Sequence, residues 1–212
     1  MPTPLGVHLI EHPVLGHLLT VARDRETSSS RFRELLDTIG ALLGYEATRD
    51  LALEPRTVQT PLEAYDGVAL AGPITLVPIL RAGLGLSNAM LRLLPRARMG
   101  HIGLFRNEDS LRPVEYYQKL PPGIAAGPVL LVDPMLATGG SAIAAADLLK
   151  QHGCTDIRFI CLLAAPEGID ALRGAHGDIP IYTAAIDRQL NDVGYILPGL
   201  GDAGDRVFGT TD

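Results

Sequence analysis

The chain has 212 residues, enough for one sizeable α/β core and short for two full domains. Apolar residues make up 47% of it, aromatic residues 5% with no tryptophan, and the net charge is −6. That balance excludes a disordered chain and argues against nucleic acid as the main partner, while a local arginine cluster can still dominate a cleft for a small anion.

No basic head followed by a long apolar stretch opens the sequence, so neither a secretory signal nor a membrane span is expected. Cys154 and Cys161 match no metal or redox spacing, and no Cys/His cluster occurs. The expectation is two reduced, partly buried thiols in a cytoplasmic protein, without structural zinc.

The N-terminal part, about residues 1–55, reads as helical. Phe32, Leu35, Leu36, Ile39, Leu42 and Leu43 repeat at helical spacing behind a Ser28-Ser29-Ser30 start. Residues 56–66 are extended in character and flanked by prolines, fitting either an arm that pairs with a partner subunit or a surface hairpin. From residue 72 to about 186 strand and helix alternate. Ile74-Thr75-Leu76-Val77-Pro78-Ile79 reads as a strand, 84–94 as a helix, and 101–105 as a strand. A polar excursion fills 106–122. A strand at 129–133, a helix at 142–150 closed by Gly153, a strand at 157–163, a short helix at 166–173 and a strand at 179–183 follow. Strands separated by single helices require a mostly parallel central sheet flanked by helices, in one α/β domain. Residues 187–212 lie beyond the sheet.

Such a sheet binds ligands at the carboxyl edge of its strands. The densest chemistry there is Val132-Asp133-Pro134-Met135-Leu136-Ala137-Thr138-Gly139-Gly140-Ser141, between an apolar strand and an alanine-rich helix. Glycines let backbone approach an anion, hydroxyls donate to it, and free N–H groups at a helix start face it. Asp133, at the strand end, can take a sugar hydroxyl or a metal. No Gly-x-x-x-x-Gly-Lys-Ser/Thr occurs, and Gly83-Leu84-Gly85-Leu86-Ser87-Asn88 has Asn where a dinucleotide-binding turn needs its third glycine.

Arg81-Ala82-Gly83-Leu84-Gly85 follows a strand, and an arginine fork beside small residues can grip a pyrophosphate. Arg106 begins the polar excursion, which runs through Asn107-Glu108-Asp109 to Tyr116-Tyr117-Gln118-Lys119; long polar loops in compact domains are usually functional or disordered. Tyr195-Ile196-Leu197-Pro198-Gly199-Leu200-Gly201-Asp202-Ala203-Gly204-Asp205-Arg206 is dense in glycine, so its exposed amides and carbonyls can read a flat polar ring.

The strand–acid–Thr-Gly-Gly-Ser–helix unit resembles the ribose-phosphate site of type I phosphoribosyltransferases. Asp133 followed by Pro134, in place of two adjacent acids, is similar to the form found in uracil phosphoribosyltransferases. The Arg81-Ala82-Gly83 turn and the Tyr195–Asp205 segment resemble that family's pyrophosphate loop and base-binding hood. Tyr45-Glu46-Ala47 and Ala164-Ala165-Pro166-Glu167-Gly168 agree, so the likeness runs from about Phe32 to the C-terminus.

The resemblance implies transfer of a 5-phosphoribosyl group from 5-phospho-α-D-ribose 1-diphosphate to uracil, giving UMP and diphosphate in pyrimidine salvage. It implies that Arg81, Arg106, Asp133, Pro134, Met135, Leu136, Ala137, Thr138, Gly139, Gly140, Ser141 and Asp202 bind the phosphoribosyl donor, and that Ile196, Gly201, Asp202 and Ala203 bind uracil. Arg81, Arg106, Asp133 and Asp202 would carry the electrostatic and positioning work. Asp202 could lie near the reacting nitrogen or near the metal-bound substrate. Mg²⁺ is implied with the donor's diphosphate, with no firm protein ligand. Family members are oligomers, often activated by GTP, though no residue here singles itself out as a GTP ligand. A rival expectation on the same core is an RNA-binding pyrimidine regulator, which predicts a basic face that the net charge does not suggest.

Overall fold

The computed structural model describes residues 4–106 and 113–210, without the side chains of residues 106 and 113. In chain order the elements are β1 (Val7–Leu9), α1 (Pro13–Arg23), α2 (Ser29–Ala47), β2 (Leu53–Gln59), β3 (Ala64–Leu70), β4 (Thr75–Leu80), α3 (Leu84–Leu93), β5 (Arg98–Met99), β6 (His101–Arg106) and β7 (Pro113–Lys119). A 3₁₀ turn at Ile124–Ala126 leads into β8 (Val129–Val132), β9 (Met135–Leu136), α4 (Gly140–Gln151), β10 (Ile157–Ala164), α5 (Pro166–Ala175), β11 (Ile181–Ile186), β12 (Gln189–Leu190), β13 (Ile196–Leu197) and α6 (Ala203–Phe208).

The main sheet runs β1-β11-β10-β8-β4-β6-β7, with β5 beside β4 and β9 beside β10. Every pairing in it is parallel except β6 with β7. β4, β8 and β10 are buried almost throughout, as central parallel strands covered on both faces must be. Alternate side chains therefore enter two cores. Leu76, Leu130, Val132, Ile160 and Leu162 pack with Phe32, Leu36, Ile39 and Leu86 under α2 and α3. Val77, Leu131, Phe159 and Cys161 pack with Ala145, Leu149, Ile169 and Leu172 under α4 and α5. A mostly parallel sheet flanked by helices is what the strand–helix alternation requires.

Three features differ from the sequence reading. β7 lies inside the stretch read as a polar excursion; Val114, Tyr116 and Tyr117 are all exposed, so the strand lacks the in–out alternation that would have marked it. The extended ribbon is a hairpin longer than 56–66, β2 pairing with β3 from Leu53↔Leu70 to Gln59↔Ala64. Finally, the part read as helical also carries β1, three residues paired in parallel with β11 at the sheet edge; beyond the sheet, β12 and β13 form a small hairpin, and Ile196, Leu200, Ala203 and Val207 are buried in the α1–α2 core. Cys154 and Cys161 are both free and buried. Among the described residues no helix is long and apolar enough to cross a membrane.

Candidate active site

The carboxyl ends of β4 and β8 and the small hood built from β12, β13 and α6 converge on one edge of the sheet. Approach is made close by residues without side chains. A Cβ on Gly83 would stand 2.4 Å from the Val132 carbonyl oxygen and 2.7 Å from that of Ile79, so only glycine lets the turn after β4 lie against the end of β8. Ala82 is thereby brought onto the same cavity as Asp133.

The segment from Asp133 to Leu136 is laid along β10: the Asp133 amide donates to Ile160, Leu162 and Leu163 donate to the Pro134 carbonyl, and Ala165 donates to Leu136. Beyond it Gly139 takes a left-handed conformation, φ +84°, as the N-cap of α4, and no side chain caps the helix there. The opening amides of α4, from Gly140 and Ser141 onward, have no partner within the helix, which suits them to an anion. Thr138 is exposed at the loop's rim and Ser141 is half-buried. A Cβ on Gly139 would point at α5, 3.1 Å from both Ala171 and the Gly168 carbonyl, not out of the loop mouth. Gly168 repeats the device from the other side: its Cβ would meet the Ala137 carbonyl at 2.4 Å.

A cavity of about 290 Å³ opens here, lined by Ala82, Asp133, Met135 and Ala137 on the sheet side and by residues 193–196 and 201–204 of the hood. Burial pushes the Asp133 carboxyl up to about 7; the Met135 amide opposes the shift and the Asp202 charge adds to it. Asp202 caps α6, one carboxylate oxygen accepting the Asp205 amide at 2.9 Å. Arg81 is exposed, its Nη2 3.8 Å from Asp205 Oδ1 and its guanidinium 5.4 Å from the centre of the Phe208 ring. It therefore carries positive charge beside the Asp205 carboxylate at the start of the hood's helix.

Asp133, Met135, Ala137, Ile196, Gly201, Asp202 and Ala203 are thus gathered on one cavity. Pro134 and Leu136 are buried behind it as backbone supports, and Thr138 to Ser141 continue past Ala137 to the start of α4. Arg106 ends β6, but its side chain and residues 107–112 lie outside the described residues, so its expected contact with diphosphate has no geometry here. Ala82, Val193, Gly194, Tyr195 and Gly204 line the cavity without having been singled out as ligands. Ala82 and Tyr195 sat inside motifs already read, but Val193 and Gly194 carried no signal of their own. Cys161 faces the sheet interior near Asp133, and burial pushes its thiol up to about 12, so it supplies no thiolate nucleophile. Among the described residues no group of three or more His, Cys, Asp or Glu side chains is poised for a metal ion.

A parallel sheet with an acid-ended strand, an uncapped glycine-rich helix start and a hood over the adjoining cavity defines a type I phosphoribosyltransferase. The fold is shared with a hypoxanthine phosphoribosyltransferase from Trypanosoma cruzi, at TM-score 0.51 and 16% identity over 74% of this chain and 75% of that one. A solved protein of Aquifex aeolicus superposes far more completely, at TM-score 0.92 with 36% identity over 97% of this chain and 99% of the other. The family model for uracil phosphoribosyltransferase matches residues 9–210. Proteins named uracil phosphoribosyltransferase are 55% identical in Acidovorax ebreus and 52% identical in Listeria welshimeri, each over 97% of this chain and 99% of the relative. The chain belongs to the uracil phosphoribosyltransferase family. Nothing in these relatives favours the RNA-binding alternative.

Proposed function

We propose that the protein joins uracil to 5-phospho-α-D-ribose 1-diphosphate, releasing UMP and diphosphate. The observation that carries this reading is the single cavity in which Asp133, from the strand-end loop, faces Ile196 and Gly201-Asp202-Ala203 of the hood. A sugar at Asp133 would then present its C1 to a flat base held by the hood.

Breaking the bond at ribose C1 leaves positive charge on the sugar and negative charge on the departing diphosphate. Fixed charges placed for that separation lower the barrier without a covalent intermediate. Thr138, Gly139, Gly140 and Ser141 would hold the 5′-phosphate with the free amides of α4. Asp133, once ionised, would fix the ribose hydroxyls and favour the cationic sugar. Arg81 and Arg106 would face the diphosphate. The backbone from Ile196 to Ala203 would read the uracil edge, with Asp202 at the reacting side of the base.

The donor set fits Mg²⁺, a hard cation that takes one or two carboxylates and completes its shell with water and substrate phosphates. Asp133 and Asp202 are two such carboxylates on one cavity, and the desolvated Asp133 gains from a nearby cation. Bound with the donor, the ion would neutralise the leaving diphosphate. The reading extends to a homodimer or higher homo-oligomer: among the described residues the β2–β3 hairpin pairs with no other strand, and it exposes Leu53, Val58, Leu62, Tyr65, Val68 and Leu70 beside a groove of about 960 Å³. A patch of that kind suits a second copy, and a monomeric mass in solution would remove this part. GTP activation and a cytoplasmic location complete the reading, with no residue assigned to GTP.

The test is direct. Purified protein, Mg²⁺ and the phosphoribosyl donor are supplied with each nucleobase in turn; UMP formed from uracil supports the reading, and product from another base alone overturns it.

A further inference from the structure

The hood is glycine-rich, yet both backbone polar groups of one of its glycines are held by a charged pair. Arg23, the last residue of α1, forks onto Asp187, directly after β11, with Nη1–Oδ2 at 2.8 Å and Nη2–Oδ1 at 2.6 Å. The same Nη1 donates to the Gly199 carbonyl at 2.8 Å, and the same Oδ2 accepts the Gly199 amide at 2.9 Å. Both backbone valences of Gly199 are therefore satisfied by one ion pair. Gly199 sits between Ile196 and Gly201-Asp202-Ala203, the stretch that lines the base cavity. Asp187 is buried, its side chain 5% exposed.

A second hold lies beside the first. Arg206 of α6 donates to the carbonyls of Ala22, Leu200 and Asp24 at 2.6, 2.9 and 2.6 Å, with its guanidinium 4.3 Å from the centre of the Phe32 ring. The end of α1 is thus the common anchor of the hood.

A buried ion pair stabilises a fold no better than well-packed apolar residues, because removing two charges from water costs about as much as their attraction returns. What the pair supplies here is geometry. Reading a base by backbone hydrogen bonds requires donors and acceptors fixed to within about 0.5 Å, and glycines alone do not provide that. We propose that Arg23 and Asp187 are positioning residues for base recognition: they hold Gly199 so that the backbone from 196 to 203 keeps the register that accepts uracil. They touch neither substrate, and the inference rests on the transferase reading.

The test uses the full chain with Arg23→Ala, and Arg23→Lys as a milder variant. Loss of the fork should raise KM for uracil about tenfold, the effect of about one lost charge-assisted hydrogen bond. KM for the phosphoribosyl donor should change less than about twofold, since the 133–141 loop is untouched. Arg23→Lys should fall between, since an ammonium keeps the charge and loses the fork. Backbone hydrogen exchange should quicken across 196–203 and not across 137–141. If Arg23→Ala does not fold, Arg23→Lys carries the same two readouts. A fall in turnover with both KM values unchanged, which a purely structural role predicts, or unaltered exchange across 196–203, which would mean that the pair does not hold this backbone, overturns the proposal. Failure of the wild-type protein to form UMP would instead sink the transferase reading, and the exchange measurement would then decide the clamp by itself.

Discussion

Asp133 is held at odds with its own charge, and Asp133→Asn exposes the consequence. Its carboxyl is pushed up to about 7, chiefly by burial, from an ordinary value of 3.8. The unfolded chain therefore gives up this proton near pH 4 while the folded chain keeps it to about pH 7. Between those values the native state binds more protons than the unfolded one, so stability falls as pH rises through the window and levels off above it. A shift of about three pH units corresponds to about 4 kcal/mol. Asp133 is partly exposed at the cavity mouth, so solvent screening reduces this to about 2 kcal/mol. Asparagine is close to the neutral acid in shape and does not titrate. Asp133→Asn should match the wild type in thermal stability near pH 4.5 to within about 1 kcal/mol. It should gain on the wild type up to pH 7, and exceed it by roughly 4–8 °C at pH 8. The same change should abolish most turnover, because the site's strain serves the donor's ribose and metal and not the fold. Melting curves of both proteins from pH 4.5 to 8.5, with no ligand, give the answer. A gap that does not vary with pH would refute the argument that burial disfavours the Asp133 charge.

Arg81→Ala should lower kcat/KM roughly ten- to hundred-fold, the loss of a charge-assisted contact of about 1.5–3 kcal/mol, and Arg81→Lys should rescue it poorly; full activity in the alanine variant would move the diphosphate elsewhere. Gly139→Val should act through the fold more than through a block at the loop mouth. Its branched side chain is disfavoured at positive φ and meets α5 at 3.1 Å, which together cost about 2–4 kcal/mol, so an unchanged melting temperature would contradict the packing. Removing residues 195–212 should leave no stable protein, since Ile196, Leu200, Ala203 and Val207 are buried in the α1–α2 core and losing them costs several kcal/mol, a large part of a typical domain's stability; a folded truncation that still bound the phosphoribosyl donor would count against that account.

The elements legible in the sequence were those whose burial imposes a period. Phe32 to Leu43 repeats at helical spacing and forms α2, and the apolar runs at 74–79, 129–132 and 157–163 fall in or close to β4, β8 and β10. β7 was hidden because both its faces are exposed, and β1 because three residues carry no period. The loop after β8 was readable because anion chemistry restricts residue type as well as spacing. The clamp on Gly199 was not: Arg23 and Asp187 are 164 residues apart, and neither neighbourhood departs from an ordinary charged surface. Their pairing exists only once α1 and β11 lie side by side in the fold. Gly168 gave a weaker sign, since a glycine inside a helix is unfavourable unless something must approach it, as the Ala137 carbonyl does.

The ratio of kcat/KM for uracil to that for cytosine, in the intact protein, tests the central claim most directly. Uracil presents acceptor, donor, acceptor along O2, N3 and O4, and cytosine reverses the last two. A hood that reads this edge with backbone groups leaves its own donors and acceptors unpaired against cytosine, so the ratio should reach about 10⁴. Comparable values for the two bases would contradict the assignment of residues 196–203 as the base-reading surface.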